Sequence, residues 1–233
     1  MFYKHVITKL HGWFFLMVIF LISCATDANK PAAQNQQAAA RTPQATSQPA
    51  KTILFFGNSL TAGYGLDPSE SFPSLIQQKI DSAHLDFKSV NAGVSGETSA
   101  GGAARIDWIL KQPLDVFVLE LGANDGLRGI PVGETKKNLQ LIIDKVKKTY
   151  PGAKLVLAGM QIPPNMGQEY SVKFRNLYPQ LAKENNTAFV PFLLEGVGGI
   201  RSLNQQDGIH PTAAGAKIVA QNVWKVLEPL LQQ

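Results

Sequence analysis

The stretch Lys51-Thr52-Ile53-Leu54-Phe55-Phe56-Gly57-Asn58-Ser59-Leu60-Thr61-Ala62-Gly63-Tyr64-Gly65 decides the fold. Ile53 to Phe56 are apolar without alternation, the pattern of a strand buried on both faces, and Gly57-Asn58-Ser59 then reads as a strand-to-helix turn. Working outward, short apolar runs recur at Phe87 to Asn91, Val116 to Leu119, Leu155 to Ala158 and Ala188 to Val190. Between them Leu139, Ile142, Ile143 and Val146 fall at i, i+3, i+4, i+7, and Val219, Asn222, Val223, Val226 and Leu230 follow the same period with one polar interruption. Apolar strands separated by amphipathic helices predict a parallel sheet covered on both faces, hence a three-layer α/β domain over residues 51–233. In such sheets ligands bind outside the carboxyl ends of the strands, so the loops that follow each strand are where chemistry belongs.

Composition narrows the possibilities. The 233 residues, 45% hydrophobic and 17% charged, suit one sizeable core. The formal charge is +5, but setting aside Lys4, Lys9, Lys30, Arg41 and Asp27 leaves 18 basic against 16 acidic residues, a net +2 from residue 51 onward. So mild a charge argues against nucleic acid as a partner. A single cysteine, Cys24, excludes an intramolecular disulfide and a thiolate zinc site. With few histidines and no phosphate-loop context around Gly63-Tyr64-Gly65, neither a metal nor a nucleotide cofactor is expected.

The N-terminus reads as an export signal. Lys4 and Lys9 precede the apolar run Trp13 to Ile22, which is too short to span a bilayer and suits a signal peptide over residues 1–23. Leu21-Ile22-Ser23-Cys24 resembles the bacterial lipobox, which implies cleavage before Cys24 and its lipidation. Residues 25–50 hold no aromatic, Leu, Ile or Val and cannot build a core. With Cys24 they read as a disordered tether of residues 24–50, spanning roughly 25–30 Å as a flexible chain. By the sorting rule of such lipoproteins, Ala25 favours the outer membrane, facing the periplasm.

Four loops carry the candidate chemistry. Taken alone, Ser59 reads as a turn or N-cap serine, and Thr61 stands where a G-x-S-x-G elbow would place its last glycine. Asn124-Asp125-Gly126 alone reads as a turn, with Asp-Gly favouring positive φ; His84 reads as a surface or cap histidine. Together the loops say more. Asp207 and His210 are three residues apart, near enough for the carboxylate to orient the imidazole toward a serine. Ser59 N–H, Gly93 N–H and the Asn124 side-chain amide are the candidate oxyanion donors.

Gly57-Asn58-Ser59-Leu60, the Gly93 loop, Gly122-Ala123-Asn124-Asp125 and Asp207-Gly208-Ile209-His210-Pro211 resemble, in order, the four blocks of the SGNH (GDSL-type) hydrolase superfamily. Leu60 to Gly65, Asn124 to Gly129 and Tyr178-Pro179-Gln180-Leu181-Ala182 are similar to its bacterial periplasmic thioesterase, lysophospholipase and arylesterase branch. The resemblance implies a flavodoxin-like fold of five parallel strands, a Ser59, Asp207 and His210 triad, and oxyanion donors at Ser59, Gly93 and Asn124. It also implies that Leu127, Arg128, Gly129, Ile130 and Pro131, up to Val132, border an acyl-binding crevice and move on binding. One departure is Asn58, where the family commonly has Asp; Asn keeps a carbonyl acceptor and loses the charge. The implied function is hydrolysis of aryl or short-to-medium acyl esters, acyl thioesters or lysophospholipids by a monomer. The alternatives are an O-deacetylase of carbohydrate or peptidoglycan with a polar groove, and a non-catalytic binding module.

Overall fold

The computed structural model describes residues 50–233; the expected signal peptide, the expected lipidation at Cys24 and all but the last residue of the expected tether lie outside the described residues. Five parallel strands, β1 (Lys51–Gly57), β2 (Phe87–Gly93), β3 (Val116–Glu120), β4 (Lys154–Ala158) and β5 (Ala188–Val190), form one sheet in the order β2-β1-β3-β4-β5. Helices α1 (Ser59–Ala62), α2 (Phe72–Ser82), α3 (Ser99–Ile109), α4 (Ala123–Leu127), α5 (Val132–Thr149), α6 (Gln168–Asn185) and α7 (Ala213–Leu231) fill the connections. α2 packs with α7 on one side, and α3 with α5 and α5 with α6 on the other, giving the predicted three layers.

The core sits on β1 and β3. Phe55, Phe56 and Phe117 are wholly buried, and burial of each such side chain contributes roughly 1.5–3 kcal/mol. β2 differs from the expected uniformly buried strand. It lies at the sheet edge with no fully buried residue, which is why Lys88, Ser89 and Asn91 are tolerated there. On α5 the predicted stripe of Leu139, Ile142, Ile143 and Val146 is buried as read. On α7 the stripe holds at Val219 and Val223, which are buried as read, and shifts beyond them: Ala220, Trp224, Leu227 and Leu231 are buried, while Asn222, Val226 and Leu230 are only half-buried. The reason is that α7 touches α2 as well as β4 and β5, so its covered face is turned toward both.

The strand order fixes where a site forms. The chain leaves β1 for β2 on one side and, after α3, enters β3 on the other, so the loops following β1 and β3 diverge. A crevice opens at such a switch point. The last β1–β3 pair at this edge is Gly57 opposite Glu120.

Candidate active site

Ser59 is the first residue of α1 and is almost buried. The cap is not Ser59 itself but Asn58, whose Oδ1 accepts the Leu60 N–H at 2.9 Å. Capping by the neighbour spares the serine hydroxyl, which makes only a long 3.4 Å contact to the same Asn58 Oδ1. Ser59 Oγ lies 2.8 Å from His210 Nε2, and His210 Nδ1 lies 2.6 Å from Asp207 Oδ2. The loop bearing the pair is clamped by Gln205 N–H donating to the His210 carbonyl at 2.7 Å and Thr212 N–H donating to the Leu203 carbonyl at 2.9 Å. Thr212 then caps α7. Tyr64 covers the imidazole, its ring centroid 4.6 Å from that of His210.

Asp207 is held as a carboxylate. Partial burial pushes its pKa up, but hydrogen bonds from the His210 backbone and ring and from the Ile209 N–H outweigh this and bring it down to about 2. A charged Asp207 fixes the His210 tautomer that leaves Nε2 free to accept the serine proton. His84 lies elsewhere, in a left-handed conformation beyond α2.

The oxyanion side requires one correction. Asn124-Asp125-Gly126 does not form a positive-φ turn but lies within α4, with Gly126 in ordinary helical backbone. The helix is held by Asp125, which accepts from Ser99 N–H at 2.8 Å, from Ser99 Oγ, and from Thr135 Oγ1 at 3.3 Å. Asn124 Nδ2 donates to the Glu97 carbonyl at 2.9 Å, which uses one of its two amide hydrogens and leaves the other. Gly93, expected as a donor, is not free. Its N–H is taken by Asn91 Oδ1 at 3.0 Å, and a Cβ there would fall 2.3 Å from Ala62 N, so Gly93 serves the close approach of β2 to α1. Three residues on, Gly96 occupies the third position of a tight turn closed by Glu97 N–H donating to the Val94 carbonyl at 3.2 Å, with φ of +80°. Its N–H has no acceptor among the described residues, and it adjoins the Glu97 carbonyl that Asn124 holds. Arg105, paired with Glu97 and donating to the Ala92 carbonyl at 2.8 Å, braces this loop.

A crevice of about 550 Å³ opens from Ser59 and His210, walled by Leu127, Ile162, Phe192, Leu194 and Ile209. Of the five residues predicted to border it, Leu127 does. Arg128 instead donates to the Gly96 carbonyl at 3.1 Å, the Ile130 carbonyl accepts from Tyr170 Oη at 2.6 Å, and Gly129 and Pro131 turn the chain into α5. The walls after β4 and β5 escaped sequence reading because isolated apolar loop residues carry no period. Glu120 also escaped it. This wholly buried carboxyl is pushed up to about 7 by burial, against hydrogen bonds from Thr61 and Asn58 that pull it down. Among the described residues no cluster of His, Cys, Asp and Glu is arranged to hold a metal ion.

Known proteins share this arrangement of elements. Residues 55–218 match the GDSL-like lipase/acylhydrolase family. Esterase TesA of Pseudomonas aeruginosa is 43% identical over 183 residues, covering 78% of this chain and 90% of that protein. The thioesterase 1/protease 1/lysophospholipase L1 of Escherichia coli strain K12 is 39% identical over 183 residues, covering 78% of this chain and 86% of its own. Among solved structures, the psychrotrophic esterase EstA from Pseudoalteromonas sp., inhibited by monoethylphosphonate, is similar with a TM-score of 0.73 and 34% identity, over 78% of this chain and 100% of that one.

Proposed function

This chain belongs to the GDSL-like lipase/acylhydrolase family and is a carboxylic ester hydrolase, and from that premise we propose that Ser59, His210 and Asp207 carry out acyl transfer to water on medium-length acyl esters, acyl thioesters or lysophospholipids. Ser59 Oγ attacks the acyl carbon while His210 Nε2 takes its proton, and His210 then returns that proton to the leaving group. Water, deprotonated by the same imidazole, releases the acid from the acyl-enzyme. Asp207 stays ionised and stabilises the imidazolium. The oxyanion meets the Ser59 N–H, unpartnered at the start of α1, the second amide hydrogen of Asn124, and the Gly96 N–H in place of Gly93.

The observation that carries this reading is the unbroken hydrogen-bonded chain from Ser59 Oγ through His210 to Asp207, opening on an apolar crevice. A binding module has no need of such a chain. An O-deacetylase of sugars is served by a polar groove, whereas Leu127, Ile162, Phe192 and Leu194 favour an acyl chain. The experiment is a panel of p-nitrophenyl esters, acyl-CoAs, lysophospholipids and acetylated sugars on residues 50–233. Each methylene moved into the crevice contributes about 0.8 kcal/mol, so kcat/KM should rise roughly three- to fourfold per added CH₂ until the walls are covered. A preference for acetyl groups with no chain-length dependence would discard the acyl-crevice reading. The proposal extends to location: export, cleavage before Cys24, lipidation there, and a tether holding a monomeric enzyme at the periplasmic face of the outer membrane.

A further inference from the structure

Among the described residues, two fully buried carboxyl groups, Asp125 and Glu120, take no part in this chemistry. Asp125 is accounted for by Ser99 and Thr135. Glu120 differs because every side-chain and backbone donor it meets comes from the turn that carries the nucleophile. Its Oε2 accepts the Asn58 N–H at 3.1 Å and the Thr61 hydroxyl at 2.8 Å, and its Oε1 accepts from Asn58 Nδ2 at 2.7 Å. No lysine, arginine or histidine pairs with it among the described residues. Asn58 is constrained from both ends, because its Oδ1 holds the Leu60 N–H at 2.9 Å. Gly57 makes room: a Cβ there would lie 2.5 Å from Glu120 Oε2 and 2.1 Å from Thr61 Oγ1. Glu120 also ends the strand that leads, through Leu121 and Gly122, into the helix bearing Asn124. One carboxylate therefore ties the loop of the nucleophile to the loop of the oxyanion donor.

We propose that Asn58 and Glu120 form a matched amide–carboxylate pair, donor on the turn and acceptor on β3, that sets the position of Ser59 relative to the Asn124 amide. Both are positioning residues, and the inference rests on the reading of Ser59 as nucleophile. The pair needs one acceptor-only group facing one group that presents an acceptor to Leu60 and a donor to β3. Asn58→Asp sets two carboxylates 2.7 Å apart, which must then share a proton. Glu120→Gln puts an amide NH₂ against donors of residue 58 whichever way it is turned. The exchange Asn58→Asp with Glu120→Gln restores every bond with one donor reversed: the Gln Nε2 donates to Asp Oδ2, and the Gln Oε1 accepts from the residue 58 N–H and from Thr61.

The test is the double-mutant cycle at pH 8.5, read as kcat and KM on a p-nitrophenyl ester and as the rate of Ser59 phosphorylation by a p-nitrophenyl phosphate triester. Each single variant should lower kcat and the phosphorylation rate at least tenfold with KM little changed, and the exchange should return both to within about threefold of wild type. Singles at wild-type rates, or an exchange no faster than the slower single, would overturn the pairing. Should a single variant fail to fold, the exchange decides alone: folded and fast supports the proposal, unfolded or slow ends it. Ser59→Ala in the same series separates the two claims, since full turnover there would remove the nucleophile whatever the cycle shows.

Discussion

His210 Nε2 lies 2.8 Å from Ser59 Oγ across 151 residues of sequence. The contact joins the turn after β1 to the loop before α7, and in the proposed mechanism the two side chains act on one proton. Ser59→Ala and His210→Ala should each lower kcat by several orders of magnitude, and the double variant should be little worse than either. Asp207→Ala should cost less, because Asp207 orients and stabilises the imidazole without exchanging a proton. Steady-state rates with circular dichroism on the same samples check this; independent, multiplying losses would mean the two do not form a unit.

Asn124 holds the Glu97 carbonyl with one amide hydrogen, and in the proposed mechanism the other meets the oxyanion. Asn124→Ala should therefore lower kcat about 10²–10³-fold with a modest change in KM. Loss of the Glu97 bond adds a stability cost of about 1 kcal/mol. A variant that melts earlier yet turns over normally would place Asn124 in the scaffold alone.

Stability should depend on pH through two carboxyls, in opposite senses. Burial raises Glu120 from 4.5 to about 7, so the folded state takes up its proton more readily than the unfolded chain. Its contribution is fully present below pH 4.5 and is lost as pH rises through 7, on the order of 3 kcal/mol. Asp207 is lowered from 3.8 to about 2, so its contribution is present above 3.8 and lost as pH falls toward 2. Between pH 5 and 8, where only the first operates, the melting temperature of wild type should fall relative to that of Glu120→Gln. Parallel curves would show that Glu120 does not titrate in this window.

The anchor is read at Cys24. Mass spectrometry of the mature N-terminus from an envelope fraction should find a lipidated cysteine, and Cys24→Ala should release the enzyme from membranes. More than one acyl chain is needed for stable retention, so an unmodified Cys24, or a Cys24→Ala protein that still sediments with membrane, would refute the anchor.

Local chemistry by itself determined the strands, the two helices α5 and α7, and the serine, asparagine and aspartate–histidine motifs. Ile53 to Phe56 and Val116 to Leu119 are legible as strands because a strand buried on both faces needs no alternation. Asp207 and His210 are legible as a pair because three residues separate them on one loop. What the sequence leaves open is everything settled by packing between segments. Asn124-Asp125-Gly126 has turn chemistry, yet Asp125 finds Ser99 and Thr135 and the segment becomes helix. Gly93 and Gly96 are indistinguishable in a string of letters; only the seating of β2 against α1 consumes the N–H of one and spares the other. Glu120 reads as a strand end, and its meaning comes from the turn folded over it. The physical reason is range: hydrophobic period and turn preference act over a few residues, whereas a hydrogen bond between residues far apart in the chain exists only after the sheet has brought their loops to one edge.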